Sequence, residues 1–206
     1  MNSGAALAAW RSFIVDVFIR VFSSNELRLG FATATIARWQ MQKDCRVIPV
    51  VWDGGLEPFR RAVHTLNNNG PFATSSLEIA ERCAGSDPYI ICNDDNLPYG
   101  QDFVEKGLDI MARHPEYGVI SGVVTNGHEP YDTESEVHEI HAVGGLVFLR
   151  KGLVTEFPPL EDAHWDIERH RQVTAKGYKS GYSHRLPYLH MGAHFSVANP
   201  SFFTGA

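Results

Sequence analysis

Short apolar runs alternate with helix-patterned stretches through the first half of this chain, and that alternation limits the folds open to it. The runs are Phe13–Phe22, Arg46–Trp52 and Tyr89–Cys92. The first alternates and is rich in Val, Ile and Phe. The second ends at Asp53-Gly54-Gly55, and the third runs into Asn93-Asp94-Asp95-Asn96. All three read as strands stopping at turns. Between them, helical spacing predicts one helix capped at Ser24 or Asn25 and running to about Gln42. Others are expected over Leu56–Leu66 and Thr74–Cys83. Such alternation predicts an α/β domain whose mainly parallel sheet is covered by helices on both faces.

The second half continues the pattern less regularly. Phe103–Arg113 has helical spacing and Tyr117–Val124 reads as a strand. Thr125–Glu136 is a polar, acidic loop, and Val137–Leu149 returns to strand character around Gly144-Gly145. A helix is expected over Glu161–Lys176, stopped at Gly177, then one or two strands and a loose tail.

Composition narrows the function. Lys and Arg number 18 against 24 Asp and Glu, a formal charge of −6. That balance disfavours nucleic acid as a partner, since phosphate neutralisation needs clustered cations. Three cysteines without CxxC spacing predict reduced, buried thiols in a cytoplasmic protein. Met1–Trp10 lacks a basic flank and Phe13–Phe22 contains Asp16 and Arg20, so neither reads as a signal peptide or a membrane span.

In open parallel sheets, ligands bind beyond the carboxyl ends of the strands, where strand order reverses. Asp53 and Asp94-Asp95 stand at two such ends. Adjacent carboxylates repel unless solvent or a cation compensates them. Oxygen-only ligands suit Mg²⁺ or Mn²⁺, which also bridge to phosphates. A solvated turn, with Asn93 and Asn96 as turn formers, is the plainer reading of the same run.

The surroundings of that run resemble a known family. Asn69-Gly70 precedes a helix, and Asp87-Pro88-Tyr89-Ile90-Ile91-Cys92 leads into Asn93-Asp94-Asp95-Asn96. Ala142-Val143-Gly144-Gly145 opens a strand that continues through Leu146–Lys151. Trp165-Asp166-Ile167-Glu168 is followed by Gly177-Tyr178-Lys179. In order and spacing these resemble the loop, Asp-x-Asp strand end, Gly-Gly strand and acidic helix of glycosyltransferases of the GT-A fold, family 2 in particular. The resemblance spans about residues 13–195.

The resemblance implies a single-domain, three-layer α/β/α sandwich. Its nucleotide-binding half would cover about 13–96 and its acceptor half about 97–195. It implies transfer of a sugar from a nucleotide-diphosphate donor, a UDP-sugar first among them, to a saccharide or other hydroxyl acceptor, with Mn²⁺ or Mg²⁺ as cofactor. By the same resemblance Asp53 contacts the base, Asp94 and Asn93 the nucleotide, Asp95 with Asp94 the metal, and His190 the metal or diphosphate. Asp166 is the general base, with Asp162 the alternative four residues earlier. The run here is Asn-Asp-Asp-Asn rather than Asp-x-Asp, which leaves open which residues face the metal. The Gln-x-x-Arg-Trp motif of processive synthases is absent, which implies single-sugar transfer, by inversion. The chain is short for this family, which raises a homo-oligomer or partner subunit as a way to complete the acceptor site. A nucleotidyltransferase and a non-catalytic nucleotide-sugar-binding protein are the alternatives. The stretch Val21–Asn25 lacks the Gly-rich, basic loop of the former.

Three further features leave choices open. His138-Glu139-Ile140-His141 lacks HExxH spacing, so a zinc protease helix is not expected. Arg20 could face a phosphate, or pair with Asp16 on the same strand face. Trp165 could stack on a sugar or serve as helix core.

Overall fold

A computed structural model describes residues 14–22, 26–52, 64–65, 72–125, 135–141, 144–158 and 165–191. Among these residues nine strands form one sheet: β1 (Val15–Phe22), β2 (Cys45–Trp52), β3 (His64–Thr65), β4 (Tyr89–Asn93), β5 (Asn96–Pro98), β6 (Tyr117–Val124), β7 (His138–Glu139), β8 (Leu146–Leu149) and β9 (Lys179–His190). Among the described residues four helices accompany it: α1 (Glu26–Gln40), α2 (Phe72–Cys83), α3 (Phe103–Arg113) and α4 (Trp165–Ala175).

The strand order is β3-β2-β1-β4-β8-β6-β9-β5, with β7 on β9. Strands β3, β2, β1 and β4 are mutually parallel, as are β6 and β9. Strands β8, β5 and β7 run antiparallel to their neighbours. The expected alternation thus yields a mixed sheet that is mostly parallel.

Burial explains why these runs form strands. Val15, Val17, Ile19 and Val21 of β1 point to one face with Ile90 and Cys92 of β4. Phe18, Tyr89 and Ile91 point to the other. Side chains alternate across a strand, so a strand buried on both faces must be apolar throughout. The first face is covered by Ala32, Ile36 and Trp39 of α1 and by Phe103, Leu108 and Met111 of α3. The second is covered by Leu77 and Ala80 of α2 and by Trp165 and Val173 of α4. Helices on both faces make the three layers.

Some expectations need correction. Residues 64–65, within the helix expected over Leu56–Leu66, form β3 beside β2, while residues 53–63 lie outside the described residues. Strand β5 was not expected, because three residues carry too little periodicity to register. Arg20 does not pair with Asp16. Instead Asp16 faces Arg46 in register across β1 and β2 and accepts two hydrogen bonds from it, at 2.7 and 2.9 Å. The three cysteines are free, yet only Cys92 is buried, and Cys83 is exposed. Trp165 is core, 1% exposed, with the Arg169 guanidinium 5.9 Å from its ring centre. Among the described residues, no helix is long and apolar enough to cross a membrane.

Candidate functional site

From β1 the chain steps to β2 and β3 on one side, then returns to place β4 on the other. Strand order therefore reverses between β1 and β4, and in open α/β sheets the carboxyl ends at such a reversal are where ligands bind. Arg20 and Asn93 face each other there in register, and the Arg20 guanidinium donates to Asn93 Oδ1.

Asp94 and Asp95 form the turn from β4 into β5, and both are buried. Their surroundings differ. The Asp94 carboxylate meets the Arg28 guanidinium of α1 at 2.7 Å, and its backbone carbonyl accepts from the Thr35 hydroxyl at 2.8 Å. Asp95 Oδ2 lies 3.2 Å from His190 Nε2, while its Oδ1 is buried without a hydrogen-bond partner among the described residues. The two acids thus divide the work of their turn: one is neutralised from α1, and the other keeps an unspent oxygen.

Strand pairing explains how a residue so distant in sequence reaches Asp95. Strand β5 turns back from the acids and pairs antiparallel with the end of β9, setting Asn96 opposite His190. The Met191 N–H then donates to the Asp95 carbonyl at 2.8 Å. His190 is delivered by main-chain hydrogen bonds.

The Gly144-Gly145 turn forms the adjoining wall. The Asn93 N–H donates to the Gly145 carbonyl at 3.2 Å. A Cβ at Gly144 would collide with the Asp166 carboxylate, so only glycine lets the turn approach that acid so closely. Asp166 stands in the first turn of α4, and its Oδ1 accepts from Arg169 at 2.9 Å. Arg169 is 2% exposed and fixes the carboxylate's orientation from below.

Two further residues, Asn96 and Tyr188, complete the site, and the sequence did not single them out. Asn96 is fully buried and neither polar atom of its amide has a partner among the described residues. Tyr188 packs against Gly145, and its hydroxyl is held well above the usual phenol pKa, first by burial and then by the negative charges of Asp95 and Asp166. An Asn after an Asp reads as a turn former, and a Tyr in a strand reads as core. Asp53 and Asp162 lie outside the described residues.

The residues fit a small divalent cation at Asp95 and His190. An unpartnered buried carboxylate oxygen is costly. Metal–oxygen bonds of about 2.1 Å at right angles put neighbouring ligand atoms about 3 Å apart, close to the separation of Asp95 and His190. Among the described residues, no three His, Cys, Asp or Glu side chains converge on one point. Any such ion would draw its remaining oxygens from phosphate and water, as Mg²⁺ commonly does.

No protein-family model matches the sequence, and no curated protein matches it. The fold has relatives among solved structures. TarS from S. aureus, crystallised with UDP-GlcNAc, superposes with a TM-score of 0.63 at 14% identity, over 87% of this chain and 60% of that one. The mannosyltransferase PcManGT from Pyrobaculum calidifontis, in complex with GDP-Man and Mn²⁺, gives 0.59 at 17% identity, over 92% and 65%. Glucosyl-3-phosphoglycerate synthase from Mycobacterium tuberculosis, with Mg²⁺ and UDP, gives 0.58 at 11% identity, over 89% and 72%. The chain has the GT-A fold. It spans 60% of the TarS chain and 65% of the mannosyltransferase chain. Within the GT-A fold, the Asp94-Asp95 turn lies at the carboxyl edge of the sheet, and the Gly-Gly turn and Asp166 lie beside it.

Proposed function

We propose that the protein is a metal-dependent, inverting glycosyltransferase moving one sugar from a nucleotide-diphosphate donor to a hydroxyl acceptor. The whole chain would act as one unit, with its nucleotide-binding half over about 13–96 and its acceptor half over about 97–195. The observation that carries this reading is the unspent, buried oxygen of Asp95 beside His190, at the reversal of strand order and one turn away from Asp166. The solved GT-A structures that bind UDP-GlcNAc, GDP-Man or UDP support the choice of donor class.

Asp95 and His190 would hold Mn²⁺ or Mg²⁺. A cation there would supply neutralisation of the diphosphate charge that grows as the donor bond breaks. The chain's own groups do the rest. Asp94, with Arg28 across from it, and Asn93, with Arg20, line the nucleotide side. Asp53 is assigned to the base of the nucleotide. Asp166 Oδ2 takes the proton of the acceptor hydroxyl while Arg169 holds Oδ1. The acceptor oxygen forms its bond to the anomeric carbon from the face opposite the leaving diphosphate. The diphosphate departs with the bonding electron pair. Between the two candidates for the base, Asp166 is assigned, because its carboxylate meets the Gly-Gly turn.

The test is a melting-point screen of UDP, GDP and dTDP sugars with and without Mn²⁺, followed by an assay of diphosphate release. Ligand binding raises the melting temperature by mass action. Asp95→Asn is expected to lose the Mn²⁺-dependent rise. Asp166→Asn is expected to keep it and lose release. A binding protein without catalysis would show the rise and no release with any acceptor. A wild-type chain indifferent to every donor in Mn²⁺ would sink the reading.

A further inference from the structure

We infer that the Tyr188 hydroxyl, backed by the Asn96 side-chain amide, is a specificity-determining contact to the sugar being transferred. This rests on the donor and base assignments above, and concerns how the sugar itself is read.

A transferred sugar must lie between the diphosphate at Asp95 and the acceptor oxygen at Asp166. The Tyr188 hydroxyl stands against Gly145, which on one side adjoins Asn96, the residue after Asp95, and on the other adjoins Gly144, which meets Asp166. Asn96 also reaches Gly145; it is fully buried, with donor and acceptor atoms that no described residue engages. Leaving a buried polar group without a partner costs about 1–3 kcal/mol, and native interiors rarely tolerate it without a reason. Asn96 has both halves of its amide in that state.

Gly145 supplies the independent observation. Its φ is +76°, and a Cβ there would stand 2.7 Å from the Tyr188 hydroxyl oxygen and 3.2 Å from Asn96 Nδ2. Any side chain at 145 would cap both groups. Glycine puts no side chain between them and the edge that adjoins Gly144 and Asp166.

The chemistry of the pair selects the ligand class. A phenol and a carboxamide each carry both donor and acceptor capacity. Neutral hydroxyls of a sugar need that mixture. A phosphate would call for cations or several N–H groups, and neither Tyr188 nor Asn96 is cationic. Sites built to hydrogen-bond a hydroxyl also reject analogues lacking it, because their own buried groups are then left unpaired.

The test is calorimetric titration in Mn²⁺ of wild type, Tyr188→Phe and Asn96→Ser. The probes are UDP, GDP and dTDP, and UDP-glucose, UDP-GlcNAc, GDP-mannose and dTDP-glucose. Both variants are expected to bind the bare diphosphate within about twofold of wild type, because the hydrogen bond each removes is one to the sugar, which the bare diphosphate lacks. They are expected to bind the preferred nucleotide sugar about fivefold or more weakly, the worth of one neutral hydrogen bond. The spread of affinities across the sugars should narrow. If Tyr188→Phe does not fold, Asn96→Ser decides alone. Variants that keep wild-type affinity for the nucleotide sugar overturn the inference. So does a wild type that binds every nucleotide sugar no differently from its bare diphosphate. Failure of wild type to bind any diphosphate is a different result: it removes the donor site itself, and the inference with it.

Discussion

Replacing Gly107 by alanine sets two opposing effects against each other in one residue. Gly107 lies in the middle of α3, where helix propensity alone favours alanine by about 1 kcal/mol. Packing opposes it. A Cβ at Gly107 would run into Cζ, Cε1 and Cε2 of Phe148, a fully buried ring on β8. That ring has little freedom to retreat, since it stacks on Phe103 with centroids 6.0 Å apart. Phe103 in turn meets Trp39 edge-on at 5.8 Å. Overpacking a core of this kind costs about 1–3 kcal/mol, and the upper end applies because all three clashing atoms belong to one confined ring. The net expectation is a loss of about 2 kcal/mol, which lowers the melting temperature by about 4–8 °C in a chain of this size. Urea unfolding of wild type, Gly107→Ala, Phe148→Leu and the double variant checks both the size and the cause. Residues in direct contact show coupling of about 0.5–3 kcal/mol, so Phe148→Leu should cost less in the alanine background than alone. A Gly107→Ala chain as stable as wild type, or additive behaviour in the cycle, would refute the reasoning.

Other expectations follow from the same geometry. Gly144→Ala pushes a Cβ into the Asp166 carboxylate; turnover should fall by about 10²-fold, the usual cost of displacing a reacting group by about 1 Å, with little change in melting temperature. Glu168 accepts from Arg171 and Gln172, and the Arg171 hydrogen bond chiefly holds its pKa below the ordinary value. A depressed carboxylate contributes stability above its unfolded pKa and loses it as pH falls through the folded one. Wild type should therefore exceed Glu168→Gln by about 0.3–0.5 kcal/mol at neutral pH, and the gap should close as the pH drops below 4.5, read by thermal melts across pH.

How much of this was legible in the sequence depends on what each element had to bury. Strand β6 and helix α3 match their expected bounds, Tyr117–Val124 and Phe103–Arg113, because each carries an apolar pattern along its whole length. Strands β3, β5 and β7 hold two or three residues each and exist only through their neighbours, so no periodicity announces them. The same division runs through the site. Asp94 and Asp95 stand out because charge at the end of an apolar run is conspicuous, and Asp166 only through the family resemblance. Arg28 did not, since a cation in the first turn of a helix looks like a solvated one; only the packing of α1 against the acidic turn gives it a carboxylate partner. Asn96 and Tyr188 were hidden for the opposite reason, being polar groups whose residue types are unremarkable at a turn and in a strand. The partners of Asp16 and Arg20 are set by cross-strand register, Arg46 for one and Asn93 for the other, which spacing along one strand does not reveal.

The pairing of β5 with β9 has a consequence for assembly. Asp95 and His190 come from distant stretches of chain, and they meet only when the last described strand has slotted in beside a three-residue neighbour. Closing so long a loop is entropically slow. The acid–imidazole pair is therefore expected to form late in folding. A truncated or half-folded copy would own the carboxylate without its companion.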